Sequence, residues 1–491
     1  MRFRPLVGIL ALLVSLVAVV QLEGARAGLQ ISDHSVGTTP VTLYQRAPEG
    51  PIVVVAHGFA GSRQIMQSYS LALAQAGYRV LAFDFEGHGR NTQPMSGDVT
   101  SIDGTTALLV AETRRMIGYA RSLPGDTRIG LLGHSMATDI IIRASIDEQA
   151  AGQPVQAVVA ISMFSGAVTA DAPQRLLVIS GAWESFLRKA GLDAARLVDP
   201  AAVEGAMVQS GPVRRATFVA PGVEHVGVLF SPSAVQAAQD WFDMAFDHES
   251  RTKRSPRGWW ILALLGGIVL GFYPIAAKLP AAAPEPAIPT GRFVLAVLIP
   301  VAITPLLIAP FYRNFMPVLV ADYLMLHLAL FGALQLAILW RWPRWPGASA
   351  ALSALVLAVW GIAVFGLALD RYGANFWPTP QRLPIIAALC LGCVPCMVAD
   401  SYLTQAGRAA LWRRVVVRLA LFAALIIAAV LRPDDLTFVL IVLPVFVLFF
   451  LVHGLMGRWV GQRAGALAAG LGLGLCLAWA LGVSFPLFAP E

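Results

Sequence analysis

Long apolar stretches in the second half of this sequence constrain its fold more than any other feature. From about residue 258 onward, the chain contains about eight stretches long enough to cross a bilayer as a helix. A bilayer interior offers no water to the backbone, so a segment that crosses it must satisfy its own N–H and C=O groups. The sequence therefore predicts an all-α, multi-span transmembrane domain at 258–491. The predicted spans are 259–277, 293–312, 316–340, 347–369, 383–405, 412–431, 436–456 and 465–488.

The N-terminus carries a further apolar run. A charged start is followed by apolar residues 6–20 and then by Ala25-Arg26-Ala27. This pattern is typical of a secretory signal peptide with a small-residue cleavage site, and it fits an uncleaved signal anchor almost as well. In both cases residues 1–27 would direct the following domain to export.

The distribution of basic residues predicts an orientation. The chain is 57% hydrophobic and 13% charged, with a formal net charge of +7. Most arginines border the predicted spans, as in membrane proteins, and no basic stripe interleaved with aromatic residues indicates nucleic-acid binding. With the N-terminus inside, the inside loops hold nine basic residues and the outside loops four. The inside set is Lys278, Arg292, Arg341, Arg344, Arg408, Arg413, Arg414, Arg458 and Arg463. The outside set is Arg313, Arg371, Arg382 and Arg432.

This asymmetry predicts an integral protein of a bacterial-type inner or plasma membrane, with residues 28–250 on the exported side. A basic linker at 251–257 disagrees, because Arg251, Lys253, Arg254 and Arg257 would then also lie outside. Long translocated domains often escape the charge rule.

Residues 28–250 have the mixed composition of a globular domain. Apolar strand-like runs alternate with helical patterns, which predicts a doubly wound, mostly parallel α/β sheet. The predicted strands are 52–56, 78–83, 127–132, 155–161, 175–179 and 216–219. The predicted helices between them are 63–76, 105–122 and 138–148.

A strand-to-helix turn in this region has the pattern of a nucleophile elbow. Gly133-His134-Ser135-Met136-Ala137 separates an apolar run from a helical one, and small residues lie two positions either side of Ser135. Such a turn exposes the serine hydroxyl at the end of a strand. The positive end of the next helix points at developing negative charge. Ala137 stands where glycine is more usual, which the tight turn tolerates sterically.

A second turn, His57-Gly58-Phe59, follows the first predicted strand. Glycine at a strand end lets backbone N–H groups turn toward a site. We expect the Phe59 and Met136 N–H groups to form an oxyanion hole. We expect His57, Gly58, Gly133 and His134 to shape the two turns, and His88 to order the loop at 84–89.

A serine nucleophile needs a base and an acid that orients the base. Among the eight histidines, His225 lies just beyond the last predicted strand, away from the turn motifs and domain ends. Glu184 follows the strand at 175–179 and precedes His225, which gives the order serine, acid, histidine. Asp199 is the alternative acid, although a residue before Pro200 is also typical of a turn. Glu224 is too close in sequence to orient its neighbour.

Taken together, these motifs resemble the α/β-hydrolase superfamily, particularly its esterase, dienelactone-hydrolase-like and serine-aminopeptidase-like members. The resemblance covers about residues 40–245. It implies a Ser135–His225–Glu184 triad, an acyl-enzyme mechanism and no metal or organic cofactor. The short connection between the strands at 155–161 and 175–179 leaves no room for a large cap domain.

The functional expectation is a membrane-bound serine hydrolase of the esterase or lipase type that cleaves a carboxylic ester or related acyl bond. The predicted partners are a small-molecule or lipid acyl substrate and the bilayer. Two alternatives stay open. One is a transporter or membrane scaffold with a hydrolase-like sensory or binding domain, suggested by His327 and Pro395 within predicted spans. The other is an acyltransferase or a peptidase, which the same triad supports.

The four cysteines all lie in the apolar half, as Cys390, Cys393, Cys396 and Cys476. The first three have the spacing C-x2-C-x2-C, which occurs in metal sites. Their position inside an apolar span favours small packing residues instead.

Overall fold

The computed structural model describes residues 3–98, 102–250, 256–340 and 347–489. The chain forms two compact units. The first, called here the sheet unit, contains Val17–Leu262, Asp370–Asn375 and the C-terminal residues 486–489. The second, the helical unit, contains residues 3–16 with Ala263–Leu369 and Phe376–Phe485. Of the basic residues used above, Arg251, Lys253, Arg254, Arg341 and Arg344 lie outside the described residues.

The sheet unit is built on a nine-stranded sheet in the order β1-β2-β4-β3-β5-β6-β7-β9-β8. The strands are β1 Gln30–Val36, β2 Thr39–Gln45, β3 Ile52–Ala56, β4 Arg79–Phe83, β5 Ile129–His134, β6 Ala157–Ile161, β7 Arg175–Gly181, β8 Met207–Ser210 and β9 Val213–Ala220. The six central strands, from β4 to β9 in this order, pair in parallel. The outer strands β1, β2 and β8 pair antiparallel.

Helices cover this sheet on both faces, because its central strands are apolar throughout. Every residue of β3, β4 and β6 is buried. The helices of the unit are α2 Gln67–Gln75, α3 Ala107–Ser122, α4 Met136–Ala150, α5 Ser185–Arg196 and α6 Pro232–Phe246. Helices α2 and α6 share one hydrophobic core with the sheet, whereas α3 and α4 pack together against β3, β5 and β6.

The predicted doubly wound, mostly parallel sheet is confirmed, and all six predicted strands are present. Strands β1, β2 and β8 and helices α5 and α6 lie outside the predicted elements. The missed strands lie at the sheet edges, where polar residues interrupt the apolar runs that identify central strands.

Two segments from the second half of the chain belong to the sheet unit. Residues 486–489 form ladder-like bonds to the loop after β4: the Leu487 N–H donates to the Gly87 carbonyl at 2.8 Å, and the Met95 N–H donates to Leu487 at 2.8 Å. In the segment 370–375, Asp370 pairs with Arg90 at 2.5 Å. The Asn375 N–H donates to Ser62 Oγ at 3.1 Å. These segments therefore brace the loops that follow β3 and β4.

Apolar helices account for most of the remaining chain. They are α1 Phe3–Gly24, α7 Arg257–Ala276, α8 Thr290–Ile308, α9 Ala321–Leu339, α10 Ala348–Val359, α11 Phe365–Tyr372, α12 Leu383–Leu403, α13 Leu411–Leu431, α14 Pro433–Leu436, α15 Val439–Ala464 and α16 Ala466–Ser484. A π-helical turn, Trp360–Val364, joins α10 to α11. Within the described part of the chain, nine helical stretches are long and apolar enough to cross a membrane. One of them is α1, and the other eight correspond to the eight predicted spans. The chain thus fits an integral membrane protein.

The helical unit packs through small residues. A Cβ on Gly470 would lie 2.4 Å from the Val398 Cα, and one on Gly474 would lie 2.6 Å from the Val394 Cα. Glycines of α16 therefore let its backbone approach α12 closely. Cys393 and Cys396 are buried in α12 as free thiols.

Candidate active site

The proposed nucleophile lies at a strained turn between β5 and α4. Ser135 has φ 54° and ψ −121°, a conformation that costs a non-glycine residue energy and is concentrated at functional sites. Its N–H donates to the Ile161 carbonyl on the neighbouring strand at 2.9 Å. A Cβ on Gly133 would lie 2.9 Å from Ile141 Cδ1, so this position has no room for a side chain. Ala137 is fully buried, and its methyl group is accommodated in the turn.

The structure brings the three predicted residues together. The Ser135 hydroxyl lies 2.9 Å from His225 Nε2. His225 Nδ1 lies 2.6 Å from Glu184 Oε1. Glu184 follows β7 and His225 follows β9, and these strands are parallel neighbours, which places both residues at the same edge of the sheet. The Glu184 side chain is 5% exposed and the His225 side chain 42% exposed, so the imidazole is open to solvent while the carboxylate is shielded.

Glu184 is held as a carboxylate by three donors. Oε2 accepts from the Ser162 hydroxyl at 2.8 Å and from the Gly181 N–H at 2.6 Å, while Oε1 faces His225. Burial alone would raise the pKa of Glu184. The hydrogen bonds from His225, Gly181 and Ser162 outweigh it and keep the pKa below its ordinary value. The charged form is thus available to balance a protonated imidazole.

Ser162 is a site residue that sequence reasoning missed. It is fully buried at the carboxyl end of β6 and has φ 53°. The available signal was its position, because polar residues at the carboxyl ends of parallel strands converge on one edge. A serine among many loop serines offers no motif of its own.

The other two acids considered from the sequence have local roles. Asp199 accepts from the Ala201 N–H at 2.9 Å, as a turn residue does. Glu224 accepts from the N–H groups of Val226 and Gly227 at 2.6 and 2.8 Å. Neither carboxylate is bonded to His225.

The predicted turn residues frame the nucleophile. A Cβ on Gly58 would lie 3.0 Å from both Ser135 Cβ and His134 Nδ1, so the loop after β3 runs directly against the elbow. Phe59 follows Gly58 in that loop, and Met136 is the first residue of α4. This close approach places Gly58, the residue before Phe59, against Ser135.

His57 and His134 are buried and structural. His57 Nδ1–H donates to the Gly58 carbonyl at 2.8 Å, while Nε2 accepts from the Phe85 N–H at 3.1 Å. Burial lowers the pKa of His57. His134 Nε2 bonds to the His225 carbonyl at 2.9 Å. Burial, helped by the adjacent His225, lowers the pKa of His134 to about 3. Both rings stay neutral near pH 7 and serve as fixed supports.

His88 and its loop support the turn after β3. His88 Nδ1 bonds to the Glu86 carbonyl at 2.9 Å, and its ring meets the Phe59 ring with centroids 5.8 Å apart. Asp84, in the same loop, forms a buried ion pair with Arg63. A Cβ on Gly89 would lie 2.4 Å from the Asp84 carboxyl carbon, so this loop closes tightly around the pair.

No cap domain lies between β6 and β7. Residues 162–174, all described, contain neither helix nor strand. Across the described residues, no group of three or more His, Cys, Asp or Glu side chains is arranged to hold a metal ion.

Comparison with known proteins agrees with the fold of the sheet unit. A family model described as the alpha/beta hydrolase fold matches residues 51–196, which include the elbow and Glu184. The N-terminal part of this chain has the α/β-hydrolase fold.

One curated protein and several solved structures are similar to this part of the chain. Protein ABHD12B of Homo sapiens is 28% identical over 193 residues, which cover 39% of this chain and 45% of that protein. The match thus spans less than half of the relative's length. Among solved structures, a dienelactone hydrolase from Anabaena variabilis is similar, with a TM-score of 0.34 and 18% identity over 46% of this chain and 100% of its own. A predicted CIB-like hydrolase from Thermoplasma acidophilum gives a TM-score of 0.34 and 16% identity over 44% and 97% of the two chains. The family supports a hydrolase function.

Proposed function

We propose that this protein is a membrane-embedded serine hydrolase that cleaves a carboxylic ester or a related acyl bond. The observation that carries the proposal is the hydrogen-bonded series from Ser135 Oγ through His225 to Glu184, with distances of 2.9 and 2.6 Å. Both distances lie within the reach that nucleophile, base and orienting acid need. The strained φ of Ser135 and the depressed pKa of Glu184 support the same roles.

The first half of the reaction forms an acyl-enzyme. As Ser135 Oγ bonds to the acyl carbon, its proton passes to His225 Nε2 and the carbonyl π electrons move onto oxygen. Glu184 balances the resulting imidazolium through Nδ1–H. His225 then gives the proton to the departing alkoxide, and the C–O bond of the ester breaks.

The second half returns the enzyme to its starting state. Water takes the place of the alcohol, loses a proton to His225 and attacks the acyl carbon, and Ser135 leaves with that proton. An alcohol or amine in place of water would make the same site an acyltransferase, and an amide substrate would make it a peptidase. The exposed His225 ring and the absence of a cap between β6 and β7 favour a bulky substrate in every case.

The Phe59 and Met136 N–H groups are the proposed oxyanion donors. Their support is the contact of Gly58 with Ser135, which brings the loop after β3 beside the reacting carbon. Removing one donor of an oxyanion hole costs about 10²–10³ in rate in enzymes where the donor is a side chain. Backbone donors are insensitive to side-chain replacement, so Phe59→Ala tests loop position rather than the donor itself.

A fluorophosphonate probe tests the nucleophile. Membranes containing the full chain should be labelled, and Ser135→Ala should abolish the labelling. Ser122→Ala is the matched control, because Ser122 is an exposed serine of the same unit. Labelling that persists in Ser135→Ala would refute the assignment, and loss of labelling in Ser122→Ala would show that the assay reports damage to the fold.

We also propose that the hydrolase domain lies on the exported face of the membrane. The support is the distribution of basic residues: the loops predicted to lie inside hold nine, and the loops predicted to lie outside, on the same face as the hydrolase domain, hold four. The hydrolase domain contains no cysteine, so labelling of an introduced one is read against the unsubstituted chain, whose four cysteines all lie in the apolar half. A membrane-impermeant maleimide should label Ala151→Cys in intact cells, and should label Ala283→Cys only after lysis. The reverse pattern would overturn this orientation.

A transport function is the second candidate, and one observation favours it. His327 is fully buried in α9, bonded at Nδ1 to the Tyr323 hydroxyl at 2.9 Å, and its Nε2 lacks a partner among the described residues. Buried ionisable groups in membrane helices often mark transport paths. The test is which variant restores the phenotype of cells that lack this protein. If Ser135→Ala restores it and His327→Ala does not, transport is the better description.

A further inference from the structure

Four large apolar side chains are exposed beside the proposed triad. They are Phe164 at 65%, Trp183 at 71%, Phe186 at 67% and Val226 at 47% exposure, called here the apolar rim. Trp183 directly precedes Glu184, Phe186 lies two residues after it, and Val226 directly follows His225. The Phe164 and Phe186 rings are neighbours, with centroids 6.3 Å apart. Clustered exposed apolar residues on a folded surface mark binding sites, whereas single ones need no explanation.

The rim is attached to the catalytic residues through the backbone. The Phe164 N–H donates to Thr138 Oγ1 at 3.0 Å, and the Thr138 hydroxyl donates to the Ser135 carbonyl at 2.7 Å. The Trp183 N–H donates to the Val223 carbonyl, two residues before His225, at 3.2 Å. These bonds hold the backbones of Phe164 and Trp183 beside the elbow and the loop that carries His225.

Charged groups near the rim are already paired. Arg188 on α5 bonds to Glu204 at 2.6 Å, and Lys189 bonds to Asp193 at 2.6 Å. Glu224 accepts two backbone N–H groups. The surface next to the triad therefore presents apolar carbon and no unpaired charge of these residues.

From this arrangement we infer that the rim binds the long apolar acyl chain of the substrate while its carbonyl carbon meets Ser135. This inference rests on the proposed serine-hydrolase function and narrows its substrate to long-chain acyl compounds. With no cap between β6 and β7, the rim is the apolar surface that flanks Glu184 and His225. Aromatic side chains give a large contact area at low conformational cost.

Two alkyl fluorophosphonates that differ only in chain length test the inference. An ethyl and a dodecyl probe, both carrying the same reporter, are compared by their second-order rate constants for labelling Ser135 in the full-length protein in detergent micelles. Removing one methylene of the alkyl chain fully from water strengthens binding about fourfold, and covering half of it strengthens binding about twofold. One aromatic ring of the rim half-covers about three methylenes. Trp183→Ala should therefore lower the dodecyl-to-ethyl rate ratio by about tenfold, and Phe164→Ala combined with Phe186→Ala, which removes two rings, by about 60-fold.

Leu108→Ala is the matched control, because Leu108 is an exposed apolar residue on α3. The rate ratio should stay at the wild-type value in this variant. Because every variant is measured in the same micelles, partition of the dodecyl probe into them affects all ratios equally. A ratio in the rim variants equal to that of Leu108→Ala would overturn the inference. Equal loss of both rates would overturn it too, since it would show a structural role.

Two further outcomes separate the inference from its alternatives. If neither probe labels Ser135 in the wild type, the proposed function fails and the inference falls with it. If Ser135 is labelled without preference for chain length and the rim variants lower the oligomeric mass, the rim is an interface between copies and the inference is wrong.

Discussion

Replacing Glu184 by glutamine should hold His225 in the tautomer that cannot accept a proton from Ser135. Glu184 Oε2 accepts from the Gly181 N–H at 2.6 Å and from the Ser162 hydroxyl at 2.8 Å. The backbone N–H of Gly181 cannot turn away, so the glutamine carbonyl oxygen must take the Oε2 position. Its NH₂ group then occupies the Oε1 position, 2.6 Å from His225 Nδ1.

In that arrangement the amide donates to Nδ1, and the imidazole proton moves to Nε2. Nε2 then faces the Ser135 hydroxyl at 2.9 Å as a donor and cannot accept its proton. An equivalent acid-to-amide change in a serine protease costs about 10⁴ in kcat. We expect a loss of about 10³–10⁴ here, or about 4–5.5 kcal/mol of transition-state stabilisation.

The assay is steady-state hydrolysis of an activated ester, with kcat and KM measured separately. The loss should fall on kcat, with KM changed by less than about threefold, because glutamine keeps the shape of the side chain. Thermal unfolding checks that the variant is folded. Activity within tenfold of the wild type, or a loss confined to KM, would refute the tautomer argument.

Three further predictions concern other parts of the sheet unit. Gly58→Ala places a Cβ 3.0 Å from Ser135 Cβ, so kcat should fall by about 10–100-fold, whereas Gly118→Ala, where nothing lies within 4 Å, should leave it unchanged. Burial raises the pKa of Glu112 from 4.5 to about 7. The folded state therefore holds a proton that the unfolded state loses, and stability should fall by about 3 kcal/mol as pH rises from 4.5 through 7. That slope should be absent from unfolding curves of Glu112→Gln; its persistence would assign the slope to another group. Asp370→Asn removes the partner of Arg90 at 2.5 Å. It should lower the unfolding temperature by about 1–3 °C, which calorimetry in detergent can measure, and an unchanged value would show that this pair contributes nothing.

The sequence predicts much of the site because its chemistry depends on residue type at strand ends. The elbow around Ser135 is recognisable because the tight turn requires small residues two positions either side of the serine. His225 and Glu184 each follow a strand that an apolar run identifies. Ser162 escapes prediction because its role depends on the φ of one buried residue and on a carboxylate 22 positions later. The edge strands escape because half-exposed strands carry polar residues.

The spans are predictable from length and apolarity alone, since a bilayer requires both. Length and apolarity do not predict that residues 370–375 and 486–489 belong to the sheet unit. Their bonds to Arg90, Ser62 and Gly87 join positions hundreds of residues apart, and no local pattern encodes such pairings.

Those two segments have a consequence for biogenesis. Among the described residues, four candidate spans lie between the end of the sheet at β9 and Asn375, the fourth of which contains Asp370, and four more separate Asn375 from residue 486. A chain that crosses a bilayer an even number of times returns to the face it left, so each segment reaches the side of the hydrolase only if an even number of the preceding spans has crossed. A single missed crossing would strand one or both on the far face, leaving the loops after β3 and β4 unsupported. Support of these two loops would therefore depend on correct insertion of the spans.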